Sequence, residues 1–488
     1  MRVLCLGNNT TDTETKTISL SNGGCYNGVL TDITQEINDG YYQTSVFDLS
    51  RADILEVAKK FDKIVILDQP REEYSHPDSF YITIDIGKKL SAEFLNHQYC
   101  DDINFFDDLV KENSSFCIFP FIELLANNNH TNVCCRSNKP VAELKNLNFA
   151  HNKQYQSIRQ RMLDGTPIPE YCSSCYDLEA LGIKSARQQE TVEWANRLNL
   201  KSIEDLTNIT SPSYYEVRAS NICNLQCRSC GPNNSSEIEK EYKVIGLIDK
   251  DYRGSEYSDF SFVEFNGLKK LYVSGGEPTI MIEFHKFLER CIAEQNTDFE
   301  LLINTNATKL SNKFRNYINY FKNAGFVVSI DGLRDQNYYI RWPSNWENII
   351  SNVDWISKSK HVLAFNITVS IYNILNLFDI LKFLEERYPA AIIHCQLADF
   401  DGDILSPFNY VGLDLAQLEK IKELKCYTNT ELLKTFVDGL IETFHSAKLD
   451  LTKLTKFFTF NDLLDQSRNI KLIDYIPELE RLRNESKN

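Results

Sequence analysis

The chain has 488 residues, of which 42% are hydrophobic, and it carries a formal net charge of −16 at pH 7. This length suffices for roughly three domains, and the hydrophobic share is typical of a globular protein with a sizeable core. The acidic balance, without any run of lysine or arginine, argues against a surface for duplex nucleic acid, which needs a basic stripe. We also expect no secretory signal and no membrane span, because no sufficiently long apolar run is present.

The 14 cysteines are expected to be reduced, because a chain without an export signal belongs to the cytoplasm, where disulfides are rare. Several cysteines stand close together in the sequence, which is typical of metal binding or redox chemistry. The close groups are Cys134 with Cys135, Cys172 with Cys175, and Cys223 with Cys227 and Cys230. The sequence therefore predicts a cytoplasmic, metal-binding protein.

Residues 1–110 are predicted to form a small α/β domain of unknown role. The runs MRVLCLG, YYQTSVFDL and DKIVILDQP have the apolar content of strands, and helical patterns over 28–38 and 51–61 separate them. Strands that alternate with helices favour a parallel sheet.

Residues 111–210 are predicted to form an inserted cysteine-rich module. The stretch FCIFPFIELLANNNHTNVCC places two apolar runs around NNNHTN, and because asparagines tolerate tight turns, it predicts a β-hairpin. A helix is predicted near residues 154–164. The prolines of TPIPEYCSSC should end this helix before a Cys-x-x-Cys turn.

Residues 211–415 alternate short apolar runs with longer amphipathic ones. The short runs are YYEVRAS, LKKLYVSGG, FELLINTN, FVVSIDG, VLAFNITVS and AIIHCQLAD. Six strands that are each followed by a crossover predict a partial (β/α)6 TIM-like barrel, and so an α/β fold class. In such barrels the chemistry lies at the carboxyl ends of the strands. Residues 416–488 are predicted to be a C-terminal helical segment.

A Cys-x-x-x-Cys-x-x-Cys loop follows the first barrel strand and contains Cys223, Cys227 and Cys230. Three thiolates can bind three corners of a four-iron cluster and leave the fourth iron open. An open coordination position is typical of reactive rather than structural metal sites. Zinc with a remote fourth ligand is the alternative for this loop.

Two further motifs follow the loop in order, GGEP at 275–278 after the second strand and SIDG at 329–332 after the fourth. Together the three motifs resemble the radical S-adenosylmethionine (SAM) enzymes over roughly residues 214–398. The resemblance implies that the open iron chelates the amino and carboxylate groups of SAM. It further implies reductive cleavage of SAM to a 5′-deoxyadenosyl radical, which abstracts a hydrogen atom from the substrate.

The resemblance also implies contacts to SAM at the strand ends. Gly275 and Gly276 would let the backbone approach the methionine end, with Glu277 and Pro278 fixing the turn. The implied contacts to the carboxylate, the ribose or the adenine come from Asn304, Ser329, Asp331, Val369 and Leu397. For Asp331, capping of the following turn is the alternative.

The upstream cysteines resemble a twitch or SPASM-type auxiliary-cluster module. This resemblance implies a second [4Fe-4S] cluster on Cys117, Cys134, Cys172 and Cys175, with Cys135 as the substitute for Cys134. Zinc is the alternative metal, because four thiolates with a Cys-x-x-Cys knuckle also suit zinc. The module usually follows the barrel, but here it precedes it, as in the twitch-containing proteins that share FP(F/W), CC and CxxC. The segments DGLRDQNYYIRWPSNW and DLLDQSRN…DYIPEL are also similar to that group.

These resemblances imply a radical SAM enzyme that oxidises or modifies a peptide or small molecule and takes electrons from a flavodoxin- or ferredoxin-type donor. An RNA substrate is one alternative, which the acidic charge disfavours. A metal-braced binding or electron-transfer protein is the other. The candidates for lining the substrate space are Arg218, Arg334, Tyr339, Arg341, Trp342, His394 and Gln396. For each of these, an ion pair or aromatic packing is the simpler alternative.

Overall fold

The structure, a computed structural model, describes residues 105–398 except 128, 138, 146, 181–184 and 255–258. It also describes residues 404–409, 436–437, 439–441, 444 and 450–485, and the backbone of six N-terminal strands. The chain divides into two compact units, Met1–Leu109 with Thr191–Ser202, and Val110–Glu190 with Ile203–Asn488.

The first unit contains a six-stranded sheet of order β2-β3-β4-β1-β5-β6. Its strands are β1 (Val3–Gly7), β2 (Glu14–Ser19), β3 (Cys25–Leu30), β4 (Tyr41–Thr44), β5 (Lys63–Leu67) and β6 (Ile82–Asp85). Strand β1 is parallel to β4 and β5, and the remaining pairs are antiparallel. The three predicted strands are confirmed, but the sheet is mixed rather than parallel.

The helix predicted over 28–38 is wrong at its start, because residues 28–30 belong to β3. Strand β3 pairs antiparallel with β2, whose threonine- and isoleucine-containing sequence ETKTIS favours a strand. Residues 31–38 and the helix predicted over 51–61 lie outside the described residues.

The second unit is built on a nine-stranded sheet of order β17-β16-β14-β13-β12-β10-β7-β8-β9. Its strands are β7 (Glu123–Asn127), β8 (His130–Asn132), β9 (Ala142–Glu143), β10 (Tyr214–Arg218), β12 (Lys270–Ser274), β13 (Glu300–Thr305), β14 (Asn323–Ser329), β16 (Val362–Val369) and β17 (Ile392–Leu397). The six predicted barrel strands, from β10 to β17, are all present and parallel. The unit is therefore a mixed α/β structure with a large parallel sheet, consistent with a partial TIM barrel.

Side chains alternate between the two faces of this sheet, as strand geometry requires. One face is apolar and packs against helices, where Phe326 contacts Trp355 and Phe365 contacts Tyr388. The other face is rich in polar side chains, including Glu216, Arg218, Tyr272, Asn304, Asn366, His394 and Gln396. The polar face therefore offers hydrogen-bonding groups to a ligand, and three of the predicted substrate-lining residues lie on it.

Helices lie before, between and after these strands in the chain. The described helices of four or more residues are Phe105–Glu112, Phe119–Ile122, Lys153–Leu163, Pro169–Ala180, Ala186–Arg197, Ile203–Thr207, Ser236–Ile245, Ile282–Ala293, Asn312–Ile318, Arg334–Ile340, Trp346–Ser357, Leu377–Arg387, Leu451–Arg468, Leu472–Tyr475 and Glu480–Glu485. Side-chain caps set several starts; Ser235, for example, accepts a hydrogen bond from the N–H of Ile238. Within the described part of the chain, no helix has both the length and the apolar character that crossing a membrane requires.

The cysteine-rich module joins the barrel sheet directly. The predicted hairpin is confirmed as β7–β8, with Leu125 opposite Asn132. Its first strand also pairs in parallel with β10, so it adds a seventh parallel strand that the sequence did not predict.

The predicted helix near 154–164 is confirmed as Lys153–Leu163. The predicted Cys-x-x-Cys turn is wrong, because Cys172 and Cys175 lie inside the helix Pro169–Ala180. A proline at the first helical position sacrifices no hydrogen bond, so Pro169 starts this helix. The backbone leaves helical geometry at Cys172, with φ −124° and ψ 15°, which kinks the helix at the first thiol.

Candidate functional site

The loop with three cysteines lies at the carboxyl end of β10, where the sequence predicts it. Its middle forms a short strand, β11 (Gln226–Cys227), which pairs antiparallel with β15 (Arg341–Trp342) and sets Cys227 opposite Arg341. The N–H of Arg228 donates to the carbonyl of Ile340 at 2.8 Å, and the N–H of Cys230 to that of Cys227 at 3.1 Å. The backbone of the loop is therefore fixed by protein contacts.

The two glycines of GGEP pack against this same loop. Both have positive φ, +80° at Gly275 and +48° at Gly276. A Cβ on Gly275 would lie 3.2 Å from the Cα of Arg218, and one on Gly276 would lie 2.2 Å from the carbonyl oxygen of Ile222. The N–H of Glu277 donates to that same oxygen at 2.7 Å. The close approach of these glycines in the structure is thus to the backbone next to Cys223.

The carboxylate of Glu277 is fully buried and satisfied by protein donors. It accepts hydrogen bonds from the N–H and hydroxyl of Thr279, the hydroxyl of Thr305 and the N–H of Asn306, at 2.6–3.1 Å. Burial raises its pKa, against these hydrogen bonds. Glu277 therefore links the ends of β12 and β13, and the buried Pro278 begins the short 3-10 helix Pro278–Ile280.

Cys227 lies close enough to Cys223 and Cys230 to affect the pKa of both thiols. Burial raises the pKa of Cys223 to about 12, with the neighbouring Cys227 as the next cause. Burial followed by Cys227 likewise raises the pKa of Cys230 to about 12. Three thiolates could coexist here only with a positive charge between them, and the iron of a cluster supplies such a charge.

The remaining predicted SAM contacts occupy different surroundings. Asn304 has a buried Oδ1 without a partner among the described residues, and Ser329 lies on the same polar face. Asp331 is buried, accepting from the N–H of Thr368 at 2.8 Å and from Arg341 at 2.7 Å, so protein groups engage both of its oxygens.

Val369 and Leu397 pair across β16 and β17, and by strand alternation they lie on the apolar face. Val369 is fully buried. The contact of these two residues with adenine stays a prediction.

A polar cluster that the motifs do not predict lies beside Cys223. The side-chain amide of Asn306 donates to Asn224 at 3.1 Å and lies 4.0 Å from the sulfur of Cys223. Thr308 joins the cluster by accepting from Asn224 at 2.9 Å. The signal that could have found it is the second asparagine of LLINTN, two residues after Asn304.

The five upstream cysteines line one cavity of about 150 Å³. This space exceeds that of a single ion or water. Cys117, Cys134, Cys135, Cys172 and Cys175 line it together with Glu123, Tyr214 and Lys270, among others. The last three are the first residues of β7, β10 and β12. The cavity is therefore at the amino ends of the strands, and the three-cysteine loop is at their carboxyl ends.

A buried ion pair holds the cavity wall together. Arg187 donates twice to Glu179, at 2.9 and 2.5 Å, and once to the carbonyl of Phe116 at 2.6 Å. Glu179 belongs to the helix that carries Cys172 and Cys175, and Phe116 directly precedes Cys117. Arg187 therefore connects this helix to the segment that carries Cys117.

The thiols of this cavity also affect one another. Burial raises the pKa of Cys117 well above its ordinary value, and Cys172 adds to the rise. Burial, then Cys175, raises the pKa of Cys172 to about 12. The pKa of Cys134 is raised by burial, then Glu123, then Cys117.

Cys135 faces a different neighbourhood from Cys134. It is exposed. The thiol itself is nevertheless largely buried, and this burial, followed by Glu216 and Glu123, raises its pKa to about 12. Among the leading causes, Cys117 raises the pKa of Cys134, whereas Glu216 and Glu123 raise that of Cys135.

Glu123, which the sequence analysis also missed, is 1% exposed, and its Oε2 has no partner among the described residues. Burial, then Glu216, raises its pKa well above the ordinary value.

Across the described residues, no three His, Cys, Asp or Glu side chains are close enough to hold a single metal ion. A four-iron cluster binds each thiolate at a separate corner and needs no such convergence. The donor chemistry of both cysteine sets therefore fits a cluster, and the orphaned Oδ1 of Asn304 fits a polar ligand beside the first set.

Residues 217–384 match the family model of the Radical SAM superfamily. The match includes the three-cysteine loop, GGEP and SIDG. This segment of the chain is therefore similar to the Radical SAM superfamily.

The particular relatives are distant. The GTP 3′,8-cyclase of Campylobacter lari is 24% identical over 183 residues, which are 36% of this chain and 52% of the relative, so this chain spans about half of that protein. The structure of Streptococcus suis SuiB bound to SAM is 15% identical with a TM-score of 0.29, covering 50% of this chain and 53% of SuiB. The structure of anSMEcpe with bound AdoMet is 18% identical with a TM-score of 0.33, covering 46% and 62%.

Proposed function

We propose that the protein is a cytoplasmic radical SAM enzyme that binds a [4Fe-4S] cluster through Cys223, Cys227 and Cys230. The observation that carries the proposal is the contact between the two motifs. GGEP packs its glycine backbone onto the carbonyl of Ile222, beside the first thiol, at the carboxyl end of a parallel sheet. This arrangement builds one site from the ends of β10, β12 and β13.

The residues around that site have separable roles in the proposal. The cluster and SAM, when bound, supply a one-electron cleavage of the sulfonium and so the radical that takes a substrate hydrogen atom. The backbone at 275–277 packs against the loop and holds it in place, and Asn304 and Ser329 offer polar atoms to SAM. Asp331 acts indirectly, by fixing Arg341 and the backbone of β16.

We further propose that the upstream cavity is a twitch-like auxiliary site. Cys117, Cys134, Cys172 and Cys175 would hold a second [4Fe-4S] cluster there, and the shared cavity and mutual pKa effects of these thiols support this. Strand β10 is five residues long. At about 3.3 Å per residue, the two sites lie roughly 13 Å or more apart along the sheet.

The four thiolates would there hold a group that could supply a one-electron acceptor to the reaction. We therefore favour a net oxidation or modification of a peptide or small molecule, with a flavodoxin- or ferredoxin-type protein as electron donor. The net charge of −16 makes RNA the less favoured substrate.

The test is anaerobic reconstitution followed by iron and sulfide analysis, electron paramagnetic resonance (EPR), and assay of 5′-deoxyadenosine with dithionite as reductant. We expect about eight irons per chain and SAM cleavage. Replacing Cys223 by alanine should abolish cleavage while the chain stays folded by circular dichroism. Cleavage that survives this change, or a wild-type chain that binds no iron, would refute the proposal.

A further inference from the structure

Two buried arginines flank the strand that carries Cys227. Arg341 lies directly opposite Cys227 in the β11–β15 ribbon. Arg468 comes from the far end of the sequence, as the last residue of the helix Leu451–Arg468. Both residues lie outside the three-cysteine motif, whose spacing therefore predicts nothing about them.

Each arginine is paired with a buried carboxylate. The Nη1 of Arg341 donates to Asp331 at 2.7 Å. Arg468 donates from Nε and Nη2 to the two oxygens of Glu241, at 2.9 and 2.6 Å, and both side chains are at most 4% exposed. Glu241 belongs to the helix Ser236–Ile245, which follows the cysteine loop, so this ion pair fixes the C-terminal helix to the element next to the loop.

Each arginine also retains one unused donor. The Nε of Arg341 and the Nη1 of Arg468 are buried and have no partner among the described residues. A buried donor left without an acceptor destabilises the folded chain, so native proteins rarely keep one without a reason. Two such donors on arginines beside the cysteine loop indicate an acceptor that the described residues do not supply.

Both arginines lie beside the strand that carries Cys227. Arg341 is the partner of Cys227 in the β11–β15 ribbon, and Arg468 lies three residues after Asp465, which accepts a hydrogen bond from Arg228, the residue after Cys227.

The same C-terminal helix holds the loop at a second point. Arg228, between Cys227 and Cys230, lies 3.6 Å from the ring centre of Tyr339 and donates to Asn461 at 2.8 Å and to Asp465 at 2.5 Å. The buried side of the helix thus contacts the segment that carries the thiols.

We propose that Arg341 and Arg468 are positioning residues that place two positive charges beside Cys227 and offer their unused N–H groups to the sulfur atoms of the bound cluster. This inference rests on the proposed function. Cluster sulfides and thiolates are anionic acceptors, and hydrogen bonds and net charge near the cluster set its reduction potential. The C-terminal segment is then part of the cofactor site, which accounts for the motif DLLDQSRN.

The test uses the ion pair of Arg468 with Glu241 to separate charge from shape. Arg468→Gln leaves a buried negative charge near the cluster, so its midpoint potential should fall. Glu241→Gln leaves the positive charge uncompensated, so the potential should rise, and the double variant should return close to wild type. The measurement is an EPR-monitored redox titration of the anaerobically reconstituted full chain, following the signal that changes when SAM is added.

A matched control is Arg387→Gln, which removes an exposed ion pair with Asp354, 2.8 Å long, and should leave the potential unchanged. Shifts of the two single variants in the same direction, no shift in either, or an equal shift in the control would overturn the inference. If Arg468→Gln fails to bind iron, Arg468→Lys decides: normal loading and potential support a need for charge, and equally poor loading refutes it.

The two proposals fail in different ways. A wild-type chain without any SAM-responsive iron–sulfur signal contradicts the proposed function. A normal wild-type signal whose potential ignores Arg468 and Glu241 contradicts only the role of the arginines.

Discussion

The contact between Gly276 and Ile222 shows how little space surrounds the cysteine loop. A Cβ at position 276 would overlap the carbonyl oxygen of Ile222 at 2.2 Å, and backbone atoms cannot yield as a flexible side chain can. We predict that Gly276→Ala displaces the loop and sharply reduces the iron bound after reconstitution. Iron content and urea unfolding of the same preparations measure the effect.

Gly246 offers a matched control for that change. It also has positive φ, +74°, but a Cβ there would meet nothing within 4 Å. Gly246→Ala should therefore cost only the backbone penalty of about 1 kcal/mol and leave iron content unchanged. Equal iron loss in both variants would mean that the overlap at Gly276 is not what matters.

His361 provides a prediction about pH. Its ring is 6% exposed, packed near Phe326 and Trp355, and neither ring nitrogen has a partner among the described residues. Burial, then Lys360, lowers its pKa to about 4 from 6.5. Below pH 6.5 the unfolded chain gains a proton that the folded chain refuses, so stability falls as the pH drops toward 4.

We predict that wild type loses about 2 kcal/mol more than His361→Phe between pH 7 and pH 5. Urea unfolding of the iron-free protein at both pH values is the measurement. Carboxylates titrate alike in both chains, so only the difference between the chains reports on His361. Equal losses would show that the imidazole is protonated normally in the folded chain.

Single residues also show where sequence reasoning stops. Spacing alone was enough to place Cys223, Cys227 and Cys230 together after a strand. Arg468 could not be found this way, because its position beside the loop depends on contacts between segments far apart in the chain. No local periodicity records such contacts.

At the level of elements, the kinked helix Pro169–Ala180 and the segment after the hairpin β7–β8 bring four of the upstream cysteines to the wall of one cavity. Cys134 neighbours Cys117, whereas the main charged neighbours of Cys135 are Glu216 and Glu123. We predict that Cys134→Ala lowers iron content by about four per chain, the complement of one cluster. Cys135→Ala, its adjacent control, should load fully, and the reverse pattern would assign the ligand to Cys135.

The elements themselves were largely predictable, and their pairing was not. All six barrel strands follow from apolar runs of the right length, and the helix Lys153–Leu163 follows from its periodicity. The parallel pairing of β7 with β10 did not, because a short apolar run does not specify its neighbour on the sheet. The Cys-x-x-Cys helix does not follow from the sequence, because a proline such as Pro169 is compatible both with the end of one helix and with the start of the next.

For the whole molecule, the two cysteine sets lie at opposite ends of the same parallel strands. This separation predicts that their functions can be uncoupled. The double change Cys172→Ala and Cys175→Ala should remove about four irons. It should retain SAM cleavage with dithionite, because the carboxyl-end site shares no thiol with the cavity.

The assay is 5′-deoxyadenosine formed per chain, compared with Cys223→Ala as the negative control. If cleavage disappears in the double variant while the cluster at the three-cysteine loop is still seen by EPR, the two ends are not independent.

The pairing of β7 with β10 also bears on how the chain is made. During synthesis β7 leaves the ribosome well before β10. The edge of β7 that pairs with β10 in the folded chain is therefore unpaired until β10 has been translated. Tyr214 and Lys270, which complete the cavity wall, emerge later still than the five upstream cysteines. A nascent chain therefore exposes all five thiols before their enclosure exists, and the lining of this pocket is complete only after the second barrel strand has been translated.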